Sequence, residues 1–300
     1  MSSLLLLVAC LALGMIVARV ARPPSTLALS LNWWALNVAL VALILELIPR
    51  LSFNADLWFP IVAMWFIFVG GWGFFSLLGR TLHWPRARVG ALTLVCGLGN
   101  TAFIGFPLIE ALRGKAALQL AVVADQAGTF VALAVGGSLV AALYSGTHAT
   151  LAAITRKVVL FPPFVALVIG VAVGLAGGWH EVVDSMLGRV AATLTPITLF
   201  SVGLQFRLHL DRDQLTALGL GLTWKMVLVP LVIFGAGSLL AVDRPILVIA
   251  TLEAAMAPMV SAAILAEQHG LDPRLANTVL GAGTLLSFLT VPLLSWLLGP

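Results

Sequence analysis

Long apolar runs follow one another along the entire chain, and only short stretches with proline, glycine or charged residues separate them. A helix that crosses a bilayer needs about 20 mainly apolar residues. Charged residues make up 9% of the 300 residues, whereas a soluble protein carries about 25%, so this chain cannot cover a water-facing surface. The pattern predicts an all-α integral membrane protein in a lipid bilayer, and it excludes a soluble enzyme and a nucleic-acid binder.

The apolar runs predict ten transmembrane helices and leave no room for a soluble domain. Ten spans divide into five and five, so the halves 1–150 and 151–300 are expected to lie in the membrane in opposite orientations, as the inverted repeats of many secondary transporters do. A shift of 157 residues supports this repeat by aligning Glu110 with Glu267. The predicted spans cover residues 3–18, 27–48, 57–79, 89–112, 116–144, 158–178, 187–206, 215–240, 246–268 and 275–298.

The basic residues indicate how the chain is oriented, because lysine and arginine are enriched in cytoplasmic loops. With the N-terminus outside, ten of the 16 basic residues fall in inward-facing loops and five in outward-facing loops, while Lys225 lies inside a span. This distribution predicts that both termini are non-cytoplasmic.

The fourth and ninth predicted spans are both interrupted by residues that disfavour helix. Residues 96–107 contain three glycines, an asparagine, a threonine and a proline, and Pro258 lies near the middle of the ninth span. Proline removes a backbone donor from a helix, and freed backbone groups in lipid must find partners or line a cavity. Each break alone is also typical of an ordinary proline kink. Because the two occupy matching positions in the two halves, they predict a binding site.

Three charged side chains fall deep in predicted spans, where each costs at least about 2.5–3.5 kcal/mol. They are Asp125, which precedes Gln126 in the fifth span, Lys225 in the eighth and Glu253 in the ninth. Glu253 either changes its protonation state when substrate binds or forms a purely structural pair with Lys225, and the sequence leaves both open. Such residues predict a functional site by default.

The sequence contains no catalytic or metal-binding pattern. All five histidines fall in loops or at span ends, and the motifs of zinc hydrolases, nucleophile elbows and nucleotide-binding loops are missing. We therefore expect no enzyme activity and no cofactor beyond a coupling H⁺ or Na⁺.

Small residues spaced four apart let helices approach closely. Gly170, Gly174 and Gly178 form such a stripe, which favours packing within the chain or the contact of a homodimer.

Two stretches resemble signatures of the auxin efflux carrier family, whose bacterial members are often called malate or malonate permeases and whose plant members include the PIN carriers. Residues 99–108 (Gly-Asn-Thr-Ala-Phe-Ile-Gly-Phe-Pro-Leu) and Gly114 resemble the fourth-helix signature. Residues 255–258 (Ala-Met-Ala-Pro), 263–267 and 270–273 resemble the ninth-helix signature. The Asp125-Gln126 pair and the stretch from Lys225 to Pro230 are also similar to that family.

The resemblance implies a multi-pass protein of the bacterial inner (plasma) membrane with a fold related to bile-acid symporters and sodium/proton antiporters. In those proteins broken crossover helices 4 and 9 form the substrate site. The implied substrates are small organic anions. The short connection between the halves, about residues 145–157, lacks the long cytosolic loop of many PIN carriers, so plant regulation is not carried over.

Together the residues and the resemblance predict a secondary active transporter that moves mono- or dicarboxylates, or auxin-like acids, by alternating access. A passive channel and a sodium-coupled anion symporter are the alternatives, and an intramembrane enzyme is disfavoured. The predicted coupling residues are Asp125, Glu253 and Lys225. The predicted substrate-binding residues are Asn100, Thr101, Gln126, Met256, Ala257 and Pro258.

Overall fold

The computed structural model describes residues 2–21, 23–24, 26–52, 55–147, 150–206 and 211–299. All regular secondary structure in these ranges is helical, which confirms the predicted all-α class. The α-helices are α1 (Ser2–Val20), α2 (Thr26–Trp34), α3 (Leu40–Leu47), α4 (Trp58–Thr81), α5 (Arg86–Gly97), α6 (Phe106–Arg113), α7 (Leu118–Val123), α8 (Ser138–Ser145), α9 (Leu151–Val159), α10 (Pro162–Leu175), α11 (Glu181–Ala191), α12 (Leu194–Gln205), α13 (Leu215–Thr223), α14 (Val229–Leu239), α15 (Arg244–Ala254), α16 (Val260–Gln268) and α17 (Pro273–Leu297).

Short segments with π-helical hydrogen bonding join several of these α-helices into longer rods. A π-helical turn inserts an extra residue, is rare, and occurs often at functional sites. Short 3₁₀ turns lie at Ile48–Arg50, Ala55–Leu57, Lys115–Ala117 and Arg212–Gln214. The π-helical segments within the described ranges are Ala35–Ala39, Thr101–Gly105, Ala124–Thr129, Ala132–Gly137 and Trp224–Leu228.

Six of the resulting rods in the described residues are long and apolar enough to cross a membrane. Two shorter apolar helices, Leu4–Val20 and Pro162–Leu175, add to them. These helices support a multi-pass membrane protein, while the full count of ten spans stays a prediction. The six rods are Thr26–Arg50, Ala55–Thr81, Lys115–Ser145, Glu181–Gln205, Leu215–Leu239 and Pro273–Leu297.

One helix lies where a loop between the halves was predicted. Helix α9 has nine residues, far fewer than a span requires, and it mixes apolar residues with Arg156 and Lys157. A search for apolar runs of about 20 residues cannot detect such a helix, because it is short and two of its nine residues are charged.

The chain forms two compact units, and each draws on both halves of the sequence. The first unit comprises Met1–Asn54, Ala102–Val122 and Val159–Phe206. The second comprises Ala55–Thr101, Val123–Val158 and Arg207–Pro300. The predicted repeats 1–150 and 151–300 therefore do not coincide with the compact units, and their inverted relationship stays a prediction.

Close glycine contacts pack the helices of the first unit. A Cβ placed on Gly14 of α1 or on Gly203 of α12 would lie 3.0 Å from the Cα of the other glycine, so the two backbones nearly touch. On α10, a Cβ at Gly170 would meet Ile48 at 3.0 Å, and one at Gly174 would meet Pro49 at 2.9 Å. Two members of the predicted glycine stripe are thus used for packing within the chain, and the homodimer stays a prediction.

The second unit buries two half-length helices on all sides. Every residue of α5 from Val89 to Gly97 is buried, and so is every residue of α15 from Ile246 to Ala254. Apart from Thr93 on α5 and Thr251 and Glu253 on α15, these residues are apolar, and a helix that is apolar almost all round belongs in the centre of a protein. Both of these central helices end at the breaks described next.

Candidate functional site

The fourth and ninth predicted spans are both interrupted in the structure. Helix α5 ends at Gly97, the next residue, Leu98, is extended, and helix resumes only at Thr101. Helix α15 ends at Ala254, and α16 begins after the extended residue Met259. We refer to residues 98–100 and 255–259 as the paired breaks.

The paired breaks bind each other through their backbones. Gly99 and Pro258 form an isolated antiparallel bridge, and the amide N–H of Asn100 donates to the carbonyl oxygen of Ala257 over 2.7 Å. Each interruption therefore supplies partners for polar groups that the other one frees. Opposite them, α17 carries Gly283, where a Cβ would lie 2.6 Å from Cγ of Pro258. Only a residue without a side chain lets α17 approach the proline this closely.

Lys225 reaches the paired breaks from the π-helical turn Trp224–Leu228. Its side chain is completely buried, and Nζ donates to the carbonyl oxygen of Ala254 over 2.9 Å. A Cβ on Gly99 would lie only 2.9 Å from the same Nζ. The ammonium group therefore lies beside both breaks at once, in space that the missing side chain of Gly99 provides.

Asp125 and Gln126 lie on a second π-helical turn, Ala124–Thr129. The Thr101 hydroxyl donates to Oδ1 of Asp125, and Nε2 of Gln126 donates to Oδ2 over 2.6 Å. All three residues are buried. Both carboxylate oxygens of Asp125 thus accept a hydrogen bond, and Oε1 of Gln126 is a buried acceptor without a hydrogen-bond partner among the described residues.

Glu253 is the least compensated charged side chain of this region. It is completely buried in the last turn of α15, and neither of its carboxylate oxygens has a hydrogen-bond partner among the described residues. It interacts electrostatically with Asp125 and Lys225, but Lys225 donates to the adjacent backbone carbonyl rather than to this carboxylate. A buried polar group without a partner costs about 1–3 kcal/mol, and more when charged, and ionisable residues placed at such a cost inside a membrane usually have a function.

The structure brings the predicted site residues together in the second unit. Hydrogen bonds or the backbone bridge connect Asn100 to Ala257, Gly99 to Pro258, and Thr101 to the Asp125-Gln126 pair. Met256 is buried as well. Gly99 and the carbonyl of Ala254 were not predicted as parts of the site, since a glycine and a backbone oxygen give no chemical signal before the fold is known.

Two further acidic residues belong to the first unit. Lys115 Nζ donates to Oε1 of Glu46 over 2.6 Å, and the Thr195 hydroxyl donates to Oε2 of Glu110 over 3.3 Å. Lys115 is half exposed. These contacts are typical of structural pairs near helix ends, and Lys115 provides a matched reference for the buried Lys225.

Comparison with known proteins identifies the family of the chain. The profile of a family described as membrane transport protein matches residues 24–143 and 145–295. An uncharacterized transporter of Methanothermobacter thermautotrophicus is 27% identical over 276 residues, which cover 89% of this chain and 87% of the relative. An uncharacterized transporter of Methanocaldococcus jannaschii is 22% identical over 234 residues, which cover 74% and 73%. The chain therefore belongs to this family of membrane transport proteins, the auxin efflux carrier family to which its fourth- and ninth-span motifs are similar.

Proposed function

We propose that the protein is a secondary active transporter that moves small organic anions by alternating access, with its substrate site at the paired breaks. One observation carries this proposal: two interrupted helices bind each other at a buried cluster that contains Asp125, Lys225 and Glu253. Interrupted helices with ionisable neighbours are the usual construction of substrate and ion sites in secondary transporters. Membership of a transporter family supports the same conclusion.

The residues of the breaks suit a carboxylate substrate. A helix that resumes after a break presents N–H groups without intrahelical partners and a partial positive charge. Thr101 and Val260 are the first residues of the helices that follow the two breaks. Asn100, Met256, Ala257 and Pro258 frame this region, and Gln126 has a second N–H that its bond to Asp125 leaves for the anion.

Charge balance links substrate binding to a proton. When Asp125, Glu253 and Lys225 are all ionised, the cluster carries one net negative charge, which repels an anion. A proton on one carboxylate removes that repulsion, so proton and anion each favour the binding of the other. Glu253 is our assignment for the coupling proton, because Asp125 already accepts two hydrogen bonds and Glu253 accepts none among the described residues.

The proposal includes the membrane topology around the site. Ten spans in two inverted five-helix repeats, with both termini outside the inner membrane, provide the pseudo-symmetry that alternating access uses. Single cysteines introduced into the loops of a cysteine-free variant and labelled from one side of intact cells test the orientation. Labelling of residues 80–88 from outside would contradict it.

Uptake into proteoliposomes tests the transport function. Radiolabelled malonate, malate and indole-3-acetate are offered to the wild type and to Asn100→Ala and Pro258→Leu, with Gly219→Ala as a control because a Cβ at this exposed position meets nothing within 4 Å. We expect saturable uptake that both site variants abolish and the control retains. Site variants that fold and transport at the wild-type rate would place the site elsewhere.

A passive channel would give a different uptake result in the same vesicles. In a carrier, unlabelled substrate trapped inside accelerates entry of labelled substrate, because both use one alternating site. In a channel the trapped substrate gives no such acceleration. Counterflow therefore separates the two candidates without any variant.

A further inference from the structure

We infer that the ammonium group of Lys225 is the transporter's own tethered cation at the paired breaks, so that no inorganic cation is required there. The inference deepens the proposed function, since it decides against coupling to sodium at this site. Its structural part, the replacement of a bound cation by a side chain, can be tested without transport.

The end of α15 is a place where a cation is needed. The last turn of a helix leaves carbonyl oxygens without intrahelical partners and carries a partial negative charge. Three of these oxygens accept backbone bonds: Ala255 N–H donates to Thr251 and Leu252, and Met256 N–H donates to Glu253. The fourth, on Ala254, accepts its hydrogen bond from Lys225.

The surroundings of this ammonium have the chemistry of a sodium site. Carbonyl oxygens at the ends of broken helices, together with carboxylates, coordinate sodium in secondary transporters. Here the carbonyl oxygen of Ala254 and the neighbouring carboxylate of Glu253 provide these groups, and Lys225 supplies the positive charge. The remaining titratable neighbour among the described residues is the buried thiol of Cys96, two residues before the first break.

The chain is shaped to receive this side chain. Lys225 approaches from a π-helical turn, and Gly99 leaves open the volume in which a Cβ would lie 2.9 Å from Nζ. An ammonium group donates up to three hydrogen bonds and stays tethered to the backbone. Unlike a sodium ion, it cannot be released with the substrate, so the moving charge must be another ion, and the proton is the one that the two carboxylates can carry.

Thermal unfolding of purified protein in detergent tests the structural part. The wild type is expected to have the same melting temperature in sodium chloride and in choline chloride of equal ionic strength. Lys225→Ala removes the ammonium and opens space beside Ala254. It should melt lower than the wild type, and sodium or ethylammonium should raise its melting temperature by about 2–4 °C, as a ligand of the folded state does, while choline does not.

Two variants serve as controls. Lys225→Met removes the charge but fills the space, so it should melt lower and gain nothing from sodium or ethylammonium. Lys115→Ala removes the half-exposed lysine that pairs with Glu46 and should show no preference for small cations. A Lys225→Ala protein that melts like the wild type, or that small cations do not stabilise, overturns the inference.

The wild type decides the question even where Lys225→Ala does not fold. A sodium-specific rise of its own melting temperature, or malonate uptake driven by an imposed sodium gradient in the absence of a proton gradient, would overturn the inference while leaving the proposed transport intact. Selective stabilisation of Lys225→Ala by small cations, in a protein that transports none of the anions tested, would support the inference and contradict the proposed function.

Discussion

The amide of Asn100 donates to the carbonyl oxygen of Ala257 over 2.7 Å, and this bond joins two helices at the points where both are interrupted. Each unsatisfied backbone group costs several kcal/mol in lipid, so each break is less costly when the other one supplies a partner. Because Gly99 and Pro258 pair beside this bond, the interruptions stabilise each other. A change at one break should therefore affect the other.

Gly99→Ala should disturb Lys225, because the added Cβ would lie 2.9 Å from Nζ. We expect a loss of about 1–3 kcal/mol in stability, as overpacking of a filled interior causes, together with strongly reduced uptake. Thermal unfolding and malonate uptake measure both effects. In the double variant Gly99→Ala with Lys225→Ala, the added Cβ no longer meets an ammonium group. The double variant should therefore lose less stability than the sum of the losses in the two single variants. Strict additivity would show that the two positions do not interact.

Glu253→Gln should abolish the dependence of uptake on a proton gradient while leaving the fold intact. The substitution keeps the volume and removes a charge that has no hydrogen-bond partner among the described residues, so the melting temperature should stay the same or rise. The rate of malonate uptake, measured between pH 5 and pH 8, checks the functional part. Persistence of the wild-type pH profile would exclude Glu253 as the proton carrier.

Asp125→Asn is the matched comparison for Glu253→Gln. Asp125 accepts from both Thr101 and Gln126, so an amide must replace one acceptor oxygen with a donor. We expect a loss of about 1–3 kcal/mol from this mismatch, with reduced uptake that still responds to pH. A flat pH profile in Asp125→Asn alone would transfer the proton role to this residue.

Thr101→Val should destabilise the protein because it removes the hydroxyl that donates to Asp125 and keeps the side-chain shape. Hydrogen bonds to charged groups contribute about 1.5–3 kcal/mol. Thr290→Val is the control, since its exposed hydroxyl donates only to the carbonyl of Leu286 in its own helix. Equal melting temperatures for the two valine variants would contradict the role of Thr101.

Gly283→Ala should displace Pro258, whose Cγ lies 2.6 Å from the position of the added Cβ. We expect a cost of about 1–3 kcal/mol and a loss of uptake, although Gly283 itself carries no group that binds substrate. Gly235→Ala on α14 adds the same methyl where nothing lies within 4 Å and should leave both properties unchanged. Unaltered unfolding of Gly283→Ala would show that α17 does not constrain the break.

The sequence was sufficient to predict the helical class and the places where two helices stop. Apolar length identifies a span, and glycine and proline mark an interruption, because both signals are local. The interaction between the breaks was not predictable in detail, since residues 100 and 257 are distant in sequence. Lys225 shows the same limit: its charge suggested a carboxylate partner, yet it donates to the carbonyl of Ala254, an acceptor that exists only because α15 ends there.

Helix α9 and the two compact units were missed for related reasons. Nine residues with two basic side chains do not resemble a span. The units combine segments from both halves of the chain, and no local pattern reports which distant helices share a core.

Because the space between Gly99 and the ammonium of Lys225 is narrow, the residues at these two positions should change together during evolution. In a descendant that keeps the lysine, an alanine at 99 would push Nζ away from the carbonyl of Ala254, so glycine should be favoured there. A descendant that loses the lysine is free to accept alanine at 99 and, if the inference holds, takes up a cation from solution. Paired replacement at these two sites should therefore mark the lineages that have changed their ionic energy source.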